Sequence, residues 1–91
     1  RSPSRGLGDV YKRQVLEAVR GDNLEMVKLM LANGANNYNK AIKEAALNGN
    51  LEMVKLMLAN GANNYNEAVR AAYSKGHHKI MDLIYQAQLN G

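Results

Sequence analysis

The feature that most constrains this chain is a long internal repeat. Segment 23–39 has the sequence NLEMVKLMLANGANNYN, and segment 50–66 repeats the same seventeen residues 27 positions later. An identity of this length marks a duplication, and a diverged third copy continues in the same register. The sequence therefore predicts three stacked units, at about 13–39, 40–66 and 67–91, each of which packs on its neighbours.

Each unit is predicted to contain two short helices. In the second helix of the middle unit, apolar residues recur with helical spacing at Leu51, Val54, Met57 and Leu58. Asn50 precedes this helix in the position of an N-cap, and Gly61 follows it where a left-handed residue ends many helices. We therefore interpret the repeated Asn-Gly pairs as helix ends. A β-hairpin is the alternative, which the helical period of the flanking residues disfavours.

The first helix of the middle unit is expected at about Lys40–Asn48. It turns Ile42, Ala45 and Ala46 inward, and the two alanines allow close approach of neighbouring helices. Asn39 and Asn66 are the predicted caps for the first helices of the units that follow them. The methionines at 26, 30, 53, 57 and 81 recur beside the apolar stripe of the second helices, which indicates the core of the stack. A methionine-rich interaction surface is the alternative.

Residues 1–14 differ from the rest of the chain. They contain its only proline, show no hydrophobic period, and hold four of the twelve basic residues against one acidic residue. The other residues carry a net charge of only +1. The end of this stretch, DVYKRQ, resembles the translation of a transposon end used to prepare sequencing libraries. We therefore expect a library-derived scar or a disordered leader. A genuine basic arm that binds nucleic acid is the alternative.

Several kinds of chemistry have no support in the sequence. The chain has no cysteine, no apolar run near the length of a membrane span, and no secretory signal. His77 and His78 are adjacent, so they point in different directions on a helix, and His77 occupies the position of a cap. No base is placed near Ser74 by any motif. We predict no enzyme activity, no catalytic residue, no metal site and no cofactor.

The segment AALNGNLEMVKLMLANGA, residues 45–62, resembles the core of an ankyrin repeat, and Gly76-His77 is similar to that family's Gly-His pair. The resemblance covers about 15–91 and implies an all-α solenoid of stacked helix-turn-helix repeats. The unit is six residues shorter than the 33 of the family, lacks the T-P-L-H signature, and has the β-hairpin largely deleted. It resembles the short Asn-rich repeats of giant DNA viruses. A tetratricopeptide array is the alternative, but its period is 34.

The resemblance implies protein–protein recognition. We predict that the partner binds the exposed face of the first helices, because the copies differ most there. Neutral divergence of a solvated face is the alternative interpretation. The predicted partner-binding residues are Glu17, Arg20, Lys40, Lys43, Glu44, Leu47, Glu67, Arg70, Ala71 and Ser74. Alternatives are nucleic-acid binding through the basic leader, or an accessory array of a larger enzyme or adaptor. We expect a monomer from an intracellular, cytoplasmic setting (a host cell if viral), no membrane partner, and a fragment of a longer array.

Overall fold

The computed structural model describes the backbone of residues 3–90 and the side chains of residues 12–90. Six helices follow one another: α1 (Pro3–Arg20), α2 (Leu24–Ala32), α3 (Tyr38–Asn48), α4 (Leu51–Ala59), α5 (Tyr65–Ser74) and α6 (His78–Asn90). The described part of the chain contains no strand. This all-helical stack confirms the predicted fold class. None of the helices in the described part is both long and apolar enough to cross a membrane.

The helices form two layers. The first helices of the units, α1, α3 and α5, pack side by side, and the second helices, α2, α4 and α6, touch one another over shorter stretches. Each first helix packs on the second helix of its own unit. The core between the layers consists of small and medium apolar side chains, among them Ala41, Ile42, Ala45, Val54 and Met57, all at most 1% exposed. Small residues in the first helices explain why this layer is the tighter one.

The second helices begin as the sequence predicts. Asn23 and Asn50 are N-caps whose side-chain oxygens accept from the backbone N–H groups of Met26 and Met53, at 3.2 and 3.0 Å. These bonds satisfy N–H groups that have no partner inside the helix. Gly61, with φ at +112°, follows the end of α4.

The last helix is longer than its equivalents. α2 and α4 each have 9 residues, whereas α6 has 13. Gln88 occupies the repeat position of Gly34 and Gly61, and both glycines have positive φ angles, +109° and +112°. Without a glycine at this position the backbone favours helical angles, so α6 continues through Asn90.

The predicted start of α3 at Lys40 and the predicted caps at Asn39 and Asn66 are both wrong. α3 and α5 begin at Tyr38 and Tyr65, so Asn37 and Asn64 occupy the cap positions, and neither makes a side-chain capping bond. Asn39 lies inside the first turn of α3, where its side chain forms hydrogen bonds with Asn63. The side chains of Tyr38 and Tyr65 are half-buried against the core.

The helix α1 begins at Pro3, so residues 3–14 continue the first helix of the first unit, in a segment where we expected a library-derived scar or a disordered leader. The helical backbone differs from a disordered leader, and the origin of the segment stays a prediction. Proline is tolerated at the first helical position because its missing N–H has no intrahelical partner there. Arg1, Ser2 and Gly91, the last residue of the final Asn-Gly pair, lie outside the described residues.

The junction between the two helices of a unit uses a left-handed residue in all three copies. The position is occupied by Asp22, Gly49 and Gly76, with φ angles of +63°, +77° and +75°. The imidazole of His77 lies against Gly49, where an added Cβ atom would be 2.6 Å from the ring atom Cε1, whereas Gly76 has open space. Of these two glycines, Gly49 therefore leaves less space for a side chain.

Gly49→Ala is expected to lower the free energy of unfolding more than Gly76→Ala, which suffers only the left-handed penalty of about 1–2 kcal/mol. Gly49→Ala has an additional loss because its new Cβ atom displaces the His77 ring. Urea unfolding of both variants, each with and without His77→Ala, measures this additional loss. In the His77→Ala background the two alanine variants should become equal. Equal losses in the presence of His77 would contradict the prediction.

Candidate partner-binding face

The predicted partner-binding residues lie on the three first helices, and most of them face solvent. Seven are exposed, namely Glu17, Arg20, Lys40, Lys43, Glu67, Arg70 and Ser74, while Glu44 and Leu47 are half-buried. The expectation of exposure is wrong for Ala71, which is only 6% exposed. Ala71 occupies the repeat position of Glu44, and its side chain is too short to reach solvent past the packed helices.

An ion pair joins the first two helices of this face. The Nε atom of Arg20 on α1 donates to Oε1 of Glu44 on α3 at 3.0 Å. This hydrogen bond, with the negative charge of Glu44, raises the pKa of the Arg20 guanidinium above its ordinary value. The pair is solvated, so it adds little to stability. It places two of the predicted contact residues side by side.

A groove runs across the first helices beside this pair. One part of it, a cleft of about 360 Å³, is lined by Leu16, Lys40, Lys43, Glu44 and Glu67. The structure thereby brings four of the predicted residues together around one apolar side chain. The lining comes from all three first helices, so the three units contribute jointly to this part of the surface.

A second cleft of about 670 Å³ continues the groove toward the loops. Its lining includes Lys12, Arg13 and Leu16 of α1, residues 36–39, Lys40, Gly61 and Asn63. Leu16 and Lys40 border both clefts, and we call the two together the inner groove. Leu16 was not among the residues predicted from the sequence. A signal was available, because Leu16 is apolar at a repeat position that holds Lys43 and Arg70 in the other units.

Asparagine side chains connect each loop beside the groove to the first helix of the preceding helix pair. Oδ1 of Asn39 accepts from the backbone N–H of Asn63 at 2.9 Å, and Nδ2 of Asn39 donates to Oδ1 of Asn63 at 3.2 Å. Nδ2 of Asn64 donates to the carbonyl of Asn39 at 2.9 Å. One unit earlier, Nδ2 of Asn37 donates to the carbonyl of Lys12 at 2.8 Å. These bonds between units fix the spacing of the loops beside the groove.

The two histidines have separate surroundings. His77 packs against Gly49, and His78 is exposed at the first turn of α6. Within residues 12–90, no group of three or more His, Cys, Asp or Glu side chains is close enough to hold a metal ion. The hydroxyl of Ser74 donates to the carbonyl of Ala71 at 2.8 Å, which is a local helix contact.

The inner groove, in contrast, has a shape and a charged lining that suit the recognition of another molecule.

The chain matches one family model. The model described as ankyrin repeats (3 copies) matches residues 15–90, which is most of the chain and coincides with the three units. No curated protein and no solved structure matches the chain.

Proposed function

The chain belongs to the ankyrin-repeat family, and on that premise we propose that it is a non-catalytic module that binds a partner protein in the inner groove. Ankyrin repeats in general bind other proteins. The observation that carries the proposal is the joint lining of the groove by α1, α3 and α5, which places Lys40, Lys43, Glu44 and Glu67 around Leu16. An apolar centre with a polar, charged rim is the usual composition of a protein interface.

The groove itself takes the place of the family's hairpin tips. The segment between α4 and α5 contains only residues 60–64, and the segment between α2 and α3 only residues 33–37. A partner that contacted hairpin tips in longer repeats finds no comparable projection here. The surface formed jointly by several units is therefore the first-helix layer, with Arg20 and Glu44 as a preformed polar contact and Leu16 as the apolar anchor.

A second candidate function is nucleic-acid binding, favoured by one observation. The larger cleft is lined by the cations Lys12, Arg13 and Lys40, and its described lining contains no carboxylate. A cationic cleft attracts phosphate groups as well as acidic peptides.

The test is a selection followed by an affinity comparison. A displayed library of protein segments is selected on the full chain, and selected ligands are titrated calorimetrically against the wild type, Lys43→Glu and Lys55→Glu. Lys43 lies in the groove, whereas Lys55 lies on the second-helix layer with its side chain 51% exposed and bridges Glu52. We expect Lys43→Glu to weaken binding at least about tenfold, which is about 1.4 kcal/mol, and Lys55→Glu to change it less than twofold.

Three results would contradict the proposal. The first is a selection that returns no ligand, and the second is an affinity that falls equally with both substitutions. The third is tight binding of a DNA or RNA duplex, included as a probe, with an affinity that falls steeply with salt and with Lys40→Glu. This third result would favour the nucleic-acid function.

A further inference from the structure

The two carboxylates that line the inner groove are hydrogen-bonded to donors of the same chain. Oε1 of Glu44 accepts from Nε of Arg20 at 3.0 Å, and Oε1 of Glu67 accepts from Nδ2 of Asn64 at 2.8 Å. Glu67 also lies in the first turn of α5, where the helix dipole stabilises a negative charge. Much of the negative charge of the groove is therefore compensated before any partner arrives.

The lysines of the same groove have no such compensation. Within residues 12–90, neither Lys40 nor Lys43 takes part in any of the ion pairs. Both are exposed and lie on α3, the middle one of the three first helices. Arg70, which occupies the repeat position of Lys43 on α5, is exposed as well. The charge that this surface offers to a partner is therefore positive.

The arrangement favours a polypeptide over a nucleic acid. Leu16 is half-buried against the core and borders the same cleft as the two lysines, so an apolar side chain of a partner can lose contact with water there. A nucleic-acid backbone carries a charge at every phosphate, and some of these phosphates would lie beside Glu44 and Glu67. A peptide can combine acidic side chains with an apolar one.

We propose that the ligand of the inner groove is a short acidic segment of the partner protein, with carboxylates beside Lys40 and Lys43 and an apolar side chain on Leu16. This inference rests on the proposed function, since it names the class of partner for the same groove. The axes of packed helices are about 8–10 Å apart, so the three first helices span about 20 Å. About six residues in an extended conformation cover that distance.

The experiment begins with a selection that is unbiased in charge. A displayed library of random peptides of about ten residues, long enough to cross all three first helices, is selected on the full chain. We expect the enriched peptides to have a net negative charge and at least one large apolar residue. Replacing the acidic residues of an enriched peptide by Asn and Gln should weaken its binding, measured by calorimetry, at least about tenfold, because several ion pairs are lost together.

Charge exchange then tests whether the lysines contact the ligand directly. Lys43→Glu should weaken binding of the enriched acidic peptide, whereas a version of that peptide with one acidic residue replaced by Lys should bind Lys43→Glu at least about threefold more tightly than the wild type. Lys55→Glu, on the second-helix layer, is the control and should distinguish the two peptides little. Glu67→Gln keeps an oxygen that can accept from Asn64 and should bind the acidic peptide about twofold more tightly, a gain that unfolding cannot produce.

The outcomes separate this inference from the proposed function. Neutral or basic ligands whose affinity changes with Lys43→Glu but not with Lys55→Glu would overturn the acidic class and leave the groove as the partner-binding site. Acidic ligands that bind Lys43→Glu and Lys55→Glu equally well would overturn both, and so would a selection that returns no ligand. A DNA duplex that displaces the acidic peptide and binds more tightly than it does would also overturn both.

Discussion

Met53→Ala is expected to lower the free energy of unfolding by about 3 kcal/mol, the usual size for a buried methionine replaced by alanine. Met53 is 0% exposed and lies where the second unit packs on the first. The substitution removes three heavy atoms from a region that small neighbours cannot refill. Urea unfolding at low micromolar concentration, followed by circular dichroism, measures the loss.

The chain supplies a matched control for this substitution. Met26 has the same flanking sequence and the same position in its helix but is 41% exposed. Met26→Ala should therefore cost less than about 1 kcal/mol, because much of its side chain is already in water. Equal losses for the two variants would show that the two methionines do not differ in burial as the structure describes.

This pair also shows where prediction from sequence ends. The sequence predicted the helix pairs, the caps at Asn23 and Asn50, and the helix ends at the Asn-Gly pairs, because these depend on residues a few positions apart. It placed all five methionines in the core. Met26 is exposed, contrary to this prediction. Its burial depends on whether another unit packs on it, and a local sequence pattern does not predict that contact.

The predicted starts of the first helices were wrong for a related reason. Asn39 was a reasonable cap by local rules, yet its side chain bonds to Asn63 of the next unit. The contact joins residues 24 positions apart, and it competes successfully with capping because it satisfies a backbone N–H and an amide together. α3 therefore begins two residues earlier than Lys40, at Tyr38.

The candidate site was predictable in its location and less so in its shape. The first-helix face was chosen because the copies diverge there, and four of its residues do line one cleft. Ala71 was misplaced, since its exposure depends on how closely α5 packs against its neighbours. Leu16 was missed because a groove between helices is a tertiary feature. The use of these residues by a partner stays a prediction.

Ala45→Leu is expected to lower the free energy of unfolding by about 2–3 kcal/mol, near the upper end for overpacked cores. Ala45 is 0% exposed on α3, the helix that packs against both α1 and α5. Three additional carbon atoms there would force α3 away from its neighbours. The groove is lined from all three helices, so we also expect weaker binding of any ligand selected on the wild type.

Ala18 is the matched control for this substitution, because it occupies the same repeat position in the first unit and is only half-buried. Ala18→Leu should change the free energy of unfolding by less than about 1 kcal/mol, since the larger side chain can extend toward solvent. Urea midpoints of the two variants, compared at equal slopes, give the difference. A loss for Ala18→Leu as large as that for Ala45→Leu would show that the two alanines do not differ in burial as the structure describes.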